Sequence, residues 1–135
     1  MKKNIVLKLI GLAILVMITL IIISILEVAV YSYLVNPGQE ISVYEAHAEF
    51  SAPYVSGIFG FILFFLIARH WKKKEYHNLS KLIFLFPLTY VLLDILVLLL
   101  SGAVEWSKWS SIVLMFVLAN GAKFFGSYLG YKLSR

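Results

Sequence analysis

The chain has 135 residues, of which 61% are hydrophobic and 14% charged, with a formal net charge of +5 and a mean hydropathy of +0.91. Soluble domains run at about 45–50% apolar, so this composition excludes an ordinary water-soluble fold and implies a polytopic membrane protein. Cysteine is absent, which excludes disulfide exchange, thiolate metal sites, iron–sulfur clusters and covalent c-type haem attachment; no cofactor is expected.

A helix needs about 20 apolar residues to cross a hydrocarbon core of about 30 Å, and four runs qualify. The first covers about residues 5–35. It is about twice the length of a signal-peptide core, so it is expected to stay as a span. Asn36-Pro37-Gly38 is a turn signal that ends it. In the outer segment 36–52, Ser42 followed by Glu45 matches a capping box. That motif predicts a short helix to about Phe50 lying on the membrane surface, with Val43, His47 and Phe50 facing the lipid. The second span is expected over 53–68, with Pro53 in its first turn. A basic loop, 69–81, leads to the third span, 82–100, which carries Pro87 in its first third. The fourth is expected over 109–129. The predicted fold is an all-α integral membrane protein, one domain over 1–135, built as a bundle of four transmembrane helices.

Charge predicts its orientation. Lys2, Lys3 and Lys8 open the first span, Arg69, Lys72, Lys73, Lys74 and Lys81 fill the loop between the second and third, and Lys132 and Arg135 follow the fourth. The other side carries only Lys108. This bias predicts cytoplasmic N- and C-termini, and so compact a chain suits a bacterial inner membrane. Tyr31, Tyr33, Tyr54, Trp106 and Trp109 fall near the outer boundary, and Trp71, Tyr76, Tyr128 and Tyr131 near the inner one, as an aromatic belt would. Arg69, Lys72, Lys73 and Lys74 are expected to meet anionic lipid headgroups. Nucleic-acid binding is not expected without a soluble basic domain.

The polar residues inside the spans are the candidates for a site. Ionised carboxylates are costly in hydrocarbon, so Glu27 and Asp94 are expected to be paired, protonated or functional. Counted from the span ends they share a level about 9–12 Å below the outer surface. Tyr31 and Tyr90 each lie four positions from one of these acids, within reach of it along a helix face. Asn120, Lys123 and Ser127 form one stripe of the fourth span that should face the interior. The intramembrane polar site is therefore expected to comprise Glu27, Tyr31, Tyr90, Asp94, Asn120 and Lys123, with Lys123 carrying less weight because its stem can snorkel to the interface. Gly126 with Gly130, and Ser56 with Gly60, have the small-xxx-small spacing of close helix packing.

Glu45, His47 and Glu49 would hold a divalent cation only if that segment were extended; the capping signal favours a helix, which turns His47 away from the two acids. Catalysis is not expected: the three histidines map outside the spans, and there is a single aspartate. The expected function is that of a small non-enzymatic membrane protein that handles an ion or small solute, or senses pH, through its buried acids. The alternative is a structural or accessory subunit whose helices pack against a second copy or another membrane protein.

Overall fold

A computed structural model describes residues 3–74, 77–102 and 104–134. Four helices follow in order: α1 Lys3–Val30, continued by a π-helical turn Tyr31–Val35; α2 Ile41–Lys73; α3 Leu79–Leu100; and α4 Trp109–Lys132, preceded by a 3-10 turn Trp106–Lys108. All four are long and apolar enough to cross a membrane. No strand occurs among the described residues.

α1 buries one stripe, Leu9, Ala13, Val16 and Leu20, spaced by three and four residues as a single helical face requires. These pack with Phe64 of α2 and with Leu82, Phe86 and Tyr90 of α3. Phe64 stacks on Phe86 at 4.6 Å and meets Tyr90 edge-on at 5.5 Å, geometries that add stability beyond area burial. α1 packs on α2 and α3, and α4 packs on α3 and, most extensively, on α2. Packing is uneven along the axis. Nothing in residues 91–100 of α3 or 109–118 of α4 is buried, whereas the buried residues of both helices lie toward the end where α2 meets α3.

The α2–α4 contact rests on glycine. A Cβ on Gly126 or Gly130 would collide with the carbonyl oxygen of Phe61 or Phe65 respectively. The two contacts have the same offset in both helices, so α2 and α4 run parallel in register, backbone against backbone. Gly60 clears a different obstacle: its missing Cβ would stand 2.7 Å from Cε of Lys123.

α2 departs from the sequence expectation. It runs unbroken for 33 residues, so the expected surface helix and second span are one element. It starts at Ile41, after Glu40 and without a side-chain cap, which puts Ser42 inside the helix and leaves the capping box unformed. Val43 and Phe50 are exposed, and His47 turns toward α1. Pro53 sits mid-helix rather than in a first turn. Its missing N–H leaves the carbonyl of exposed Glu49 without its helical partner, a small loss where water or headgroups are at hand. The basic stretch is likewise helical through Lys73, and the turn to α3 ends on Asn78 at φ 60°, a left-handed conformation that asparagine tolerates.

Pro87 is accommodated inside α3. The carbonyl it orphans is that of Ile83, four residues back. Ser127 of α4 donates its hydroxyl to that oxygen at 2.9 Å, restoring the lost bond from a neighbouring helix.

Candidate functional site

The six residues expected to form one intramembrane site fall into two clusters, both completed by serines of α2. The outer cluster joins α1 to α2. His47 Nε2 meets Glu27 Oε1 at 2.7 Å, and Ser51 Oγ donates to Glu27 Oε2 at 2.8 Å. His47 and Ser51 are one helical turn apart on α2, so they present two groups to the two oxygens of one carboxylate. The ring of Tyr31 stacks on His47 with centroids 3.6 Å apart and planes within 4°. Its hydroxyl accepts from Asn36 Nδ2 at 3.2 Å instead of reaching Glu27, as the sequence had suggested.

Tyr44 fastens the turn above this cluster. Its hydroxyl donates to the carbonyl of Asn36 at 3.0 Å and accepts the Gln39 N–H at 2.9 Å. The π-helical turn at 31–35 widens the end of α1 just where Tyr31 stacks on His47; such insertions recur at functional sites. Side-chain exposure is 20% for His47 and 34% for Glu27, so both are partly open to their surroundings.

The inner cluster joins α2, α3 and α4. Lys123 is fully buried. Its ammonium donates to Ser56 Oγ at 2.8 Å and to Ala119 O and Asn120 Oδ1, each at 3.4 Å, and stands 4.8 Å from the centre of the Tyr90 ring. Asn120 donates to Asp94 Oδ2 at 3.1 Å, so one amide bridges the buried ammonium and the half-buried carboxylate. Lys123 therefore does not snorkel. The carbonyl of Ala119, the Tyr90 ring and two side-chain acceptors hold it in place, and Gly60 makes the room.

Ser51 and Ser56 are five residues apart, about 7.5 Å along the helix and about 140° around it beyond one full turn. The clusters thus occupy different levels and different faces of α2. Glu27 and Asp94 have separate partners.

Sequence reasoning missed His47, Ser51 and the binding role of Ser56. A carboxylate on one helix and a histidine with a serine four residues on, at matching distances from an intervening turn, was the usable signal. The extended alternative for Glu45, His47 and Glu49 is overturned, because α2 is helical there, the acids are exposed, and His47 serves Glu27. Among the described residues no group of three or more His, Asp or Glu is placed to hold a metal ion.

On the basic side, Lys72 is engaged within the protein. Its ammonium donates to Tyr131 O at 2.9 Å, at the negative end of the α4 dipole. Arg69, Lys73 and Lys74 are exposed. Trp71 packs edge-on against Phe86 at 5.3 Å, a core contact for a residue expected at the interface. Tyr33, Trp106 and Trp109 are exposed. Tyr76, Lys2 and Arg135 lie outside the described residues.

Comparison with protein-family models, with curated proteins and with solved structures found no match.

Proposed function

We propose that this chain is a non-enzymatic integral membrane protein with four spans and cytoplasmic termini, in a bacterial inner membrane, that exchanges protons at its outer end and so responds to external pH. The observation that carries this reading is the Glu27 carboxylate held between His47 and Ser51. Imidazole as a class changes charge between about pH 5 and 8. The contact is an ion pair when the ring is protonated and a single hydrogen bond when it is not. Tyr31 couples that change to the turn at 31–40 through its stacking and its bond to Asn36.

Three further features support it. Glu45 and Glu49 flank His47 on the exposed side of α2, so the approach to the cluster is electronegative and attracts protons. The outer halves of α3 and α4 are loosely packed around half-buried Asp94, giving a second acid within reach of the same side. Toward the other end, Phe64, Phe86 and Tyr90 fill the interior. Orientation follows from charge: the ends bearing Lys8, Arg69, Lys73, Lys74, Lys81 and Lys132 lie on one side of the helices, and the ends bearing Glu40, Glu45 and Glu105 on the other.

Carbodiimide labelling in native membranes, read by mass spectrometry, tests the proposal because the reagent modifies protonated carboxyls. Glu27 should be labelled at low pH and spared as pH rises, and His47→Gln should change the labelling, since His47 is one of the two side chains that hold the carboxylate. Labelling of Glu27 that ignores both pH and residue 47 refutes the reading.

A further inference from the structure

Two grooves open on the sides of the helices, and they differ in what stands at their rims. One lies between α2 and α4 and is lined by Pro53, Gly57, Phe61, Met115 and Ala119 among others; like the second groove, its lining is uncharged. The other lies between α3 and α4 near their basic ends. Ile83, Phe84, Phe124 and Phe125 form its apolar length, with Ser80, Tyr128 and Tyr131 toward the end. Each of those tyrosines carries an ammonium on its ring: Lys132 stands 5.7 Å from the centre of Tyr128, and Lys72 stands 5.0 Å from that of Tyr131. Lys81 follows Ser80 in the chain and is exposed. An apolar channel thus ends in two hydroxyl-bearing rings and a serine, with an ammonium over each ring although neither lysine lines the groove itself.

That combination has one matching occupant in a bilayer. The apolar length takes a hydrocarbon chain, and the mouth takes an anionic, oxygen-rich headgroup; basic pockets between helices on the cytoplasmic side are known to bind such lipids. We infer that the groove between α3 and α4 is a binding site for an anionic phospholipid of the cytoplasmic leaflet, its acyl chain along Ile83, Phe84, Phe124 and Phe125 and its phosphate at Lys132, Ser80 and Tyr131. Lys72 adds charge to the mouth but spends its best hydrogen bond on the Tyr131 carbonyl, which leaves exposed Lys132 as the group free to follow the headgroup. A zwitterionic lipid fits the channel equally well but adds a positive group beside two ammoniums, so selectivity resides in the headgroup. This site rests on the membrane orientation proposed above and is independent of proton exchange at Glu27.

Membrane insertion is checked first, by resistance of the chain to carbonate extraction; a chain that washes off the membrane defeats the orientation itself. The inserted protein is then placed in nanodiscs of phosphatidylcholine with a minority of phosphatidylglycerol, bearing a benzophenone amino acid at Phe84, which is 60% exposed in the groove, or at Ile62 in the other groove as control. Cross-linked lipid is identified by mass spectrometry. Phosphatidylglycerol adducts at residue 84 should exceed its bulk share by about fivefold, the equivalent of about 1 kcal/mol for one basic residue, with none of this enrichment at residue 62. Lys132→Gln should return the ratio at residue 84 to the bulk share, and Lys73→Gln should leave it unchanged. Equal enrichment at residues 84 and 62, persistence in Lys132→Gln, or an equal fall in Lys73→Gln would each overturn the site, the last by showing general surface attraction.

Discussion

Substituting alanine for each of three glycines in α4 separates packing from helix propensity within a single helix. A Cβ on Gly121 meets nothing within 4 Å, so Gly121→Ala should stabilise by about 0.5–1 kcal/mol through backbone entropy alone. On Gly126 the same atom strikes the Phe61 carbonyl and lies 3.1 Å from both C and Cα of that residue; on Gly130 the corresponding atoms of Phe65 are at 3.0 Å. The obstacles are backbone, which no rotamer change can move, so α2 and α4 must separate. Overpacking of this kind costs about 1–3 kcal/mol, and separation also stretches the Lys123–Ser56 bond across the same interface. After the propensity gain is subtracted, Gly126→Ala and Gly130→Ala should each be destabilised by about 1–2 kcal/mol. The spread between them and Gly121→Ala is then about 2 kcal/mol, some thirtyfold in the unfolding equilibrium. Unfolding by titrated denaturing detergent in mixed micelles, followed by helix content, reads it directly. If all three variants fall within about 0.5 kcal/mol of one another, α4 does not lie against α2 as described.

Three other outcomes are expected. Ser127→Ala should cost about 1–3 kcal/mol by leaving the Ile83 carbonyl unpaired; the cost should shrink in a Pro87→Ala background, where α3 regains its own N–H, and a double-mutant cycle in the same unfolding assay would show a coupling near zero if the two are unrelated. Lys123→Met should be at least as stable as the parent, because a buried ammonium without a carboxylate in direct contact gives way to an apolar chain of similar length, whereas Lys123→Ala should lose about 2–5 kcal/mol to a cavity; a Met variant weaker than the Ala variant refutes this account. Tyr44→Phe should speed hydrogen exchange at the Gln39 amide by about fivefold or more, for a bond of about 1 kcal/mol, while amides of the α2–α4 contact keep their protection; an unchanged Gln39 rate would mean the turn is held by something else.

Much of the fold was legible because hydrophobic length speaks plainly in a chain of this kind. The third and fourth helices fall within three residues of their expected ends, and the stripe Asn120–Lys123–Ser127 is buried. The second helix departs from expectation because the sequence changes character at Ser51 from polar to apolar, and reading that change as a break in the helix is an error. Helical hydrogen bonding is indifferent to that boundary, and Pro53 lies where an orphaned carbonyl can be solvated. The same error hid the outer cluster. Once His47 was assigned to a surface helix facing the lipid it was separated from Glu27, although both flank the turn at 36–40. The general habit of lysine argues for snorkelling at Lys123, and the clue against it is Gly60, whose lack of a side chain admits the ammonium's stem.

The division between the clusters bears on what the molecule does with a proton. Ser51 ties α2 to α1 through Glu27, and Ser56 ties α2 to α4 through Lys123, so one helix carries a ligand for each charged group on separate faces. The outer group is a carboxylate facing an imidazole, and both side chains are partly exposed. The inner ammonium is enclosed, and Asn120 holds Asp94 at a fixed remove from it, an arrangement that conserves charge balance while both remain in place. In the proposed orientation a proton entering from the outer side would meet Glu27 or Asp94 before the stacked aromatic interior at Phe64, Phe86 and Tyr90. On the proposed reading that order favours sensing over transport: protonation would alter how α2 is tied to α1, and the turn above it, held by Tyr31 and Tyr44, would register the change.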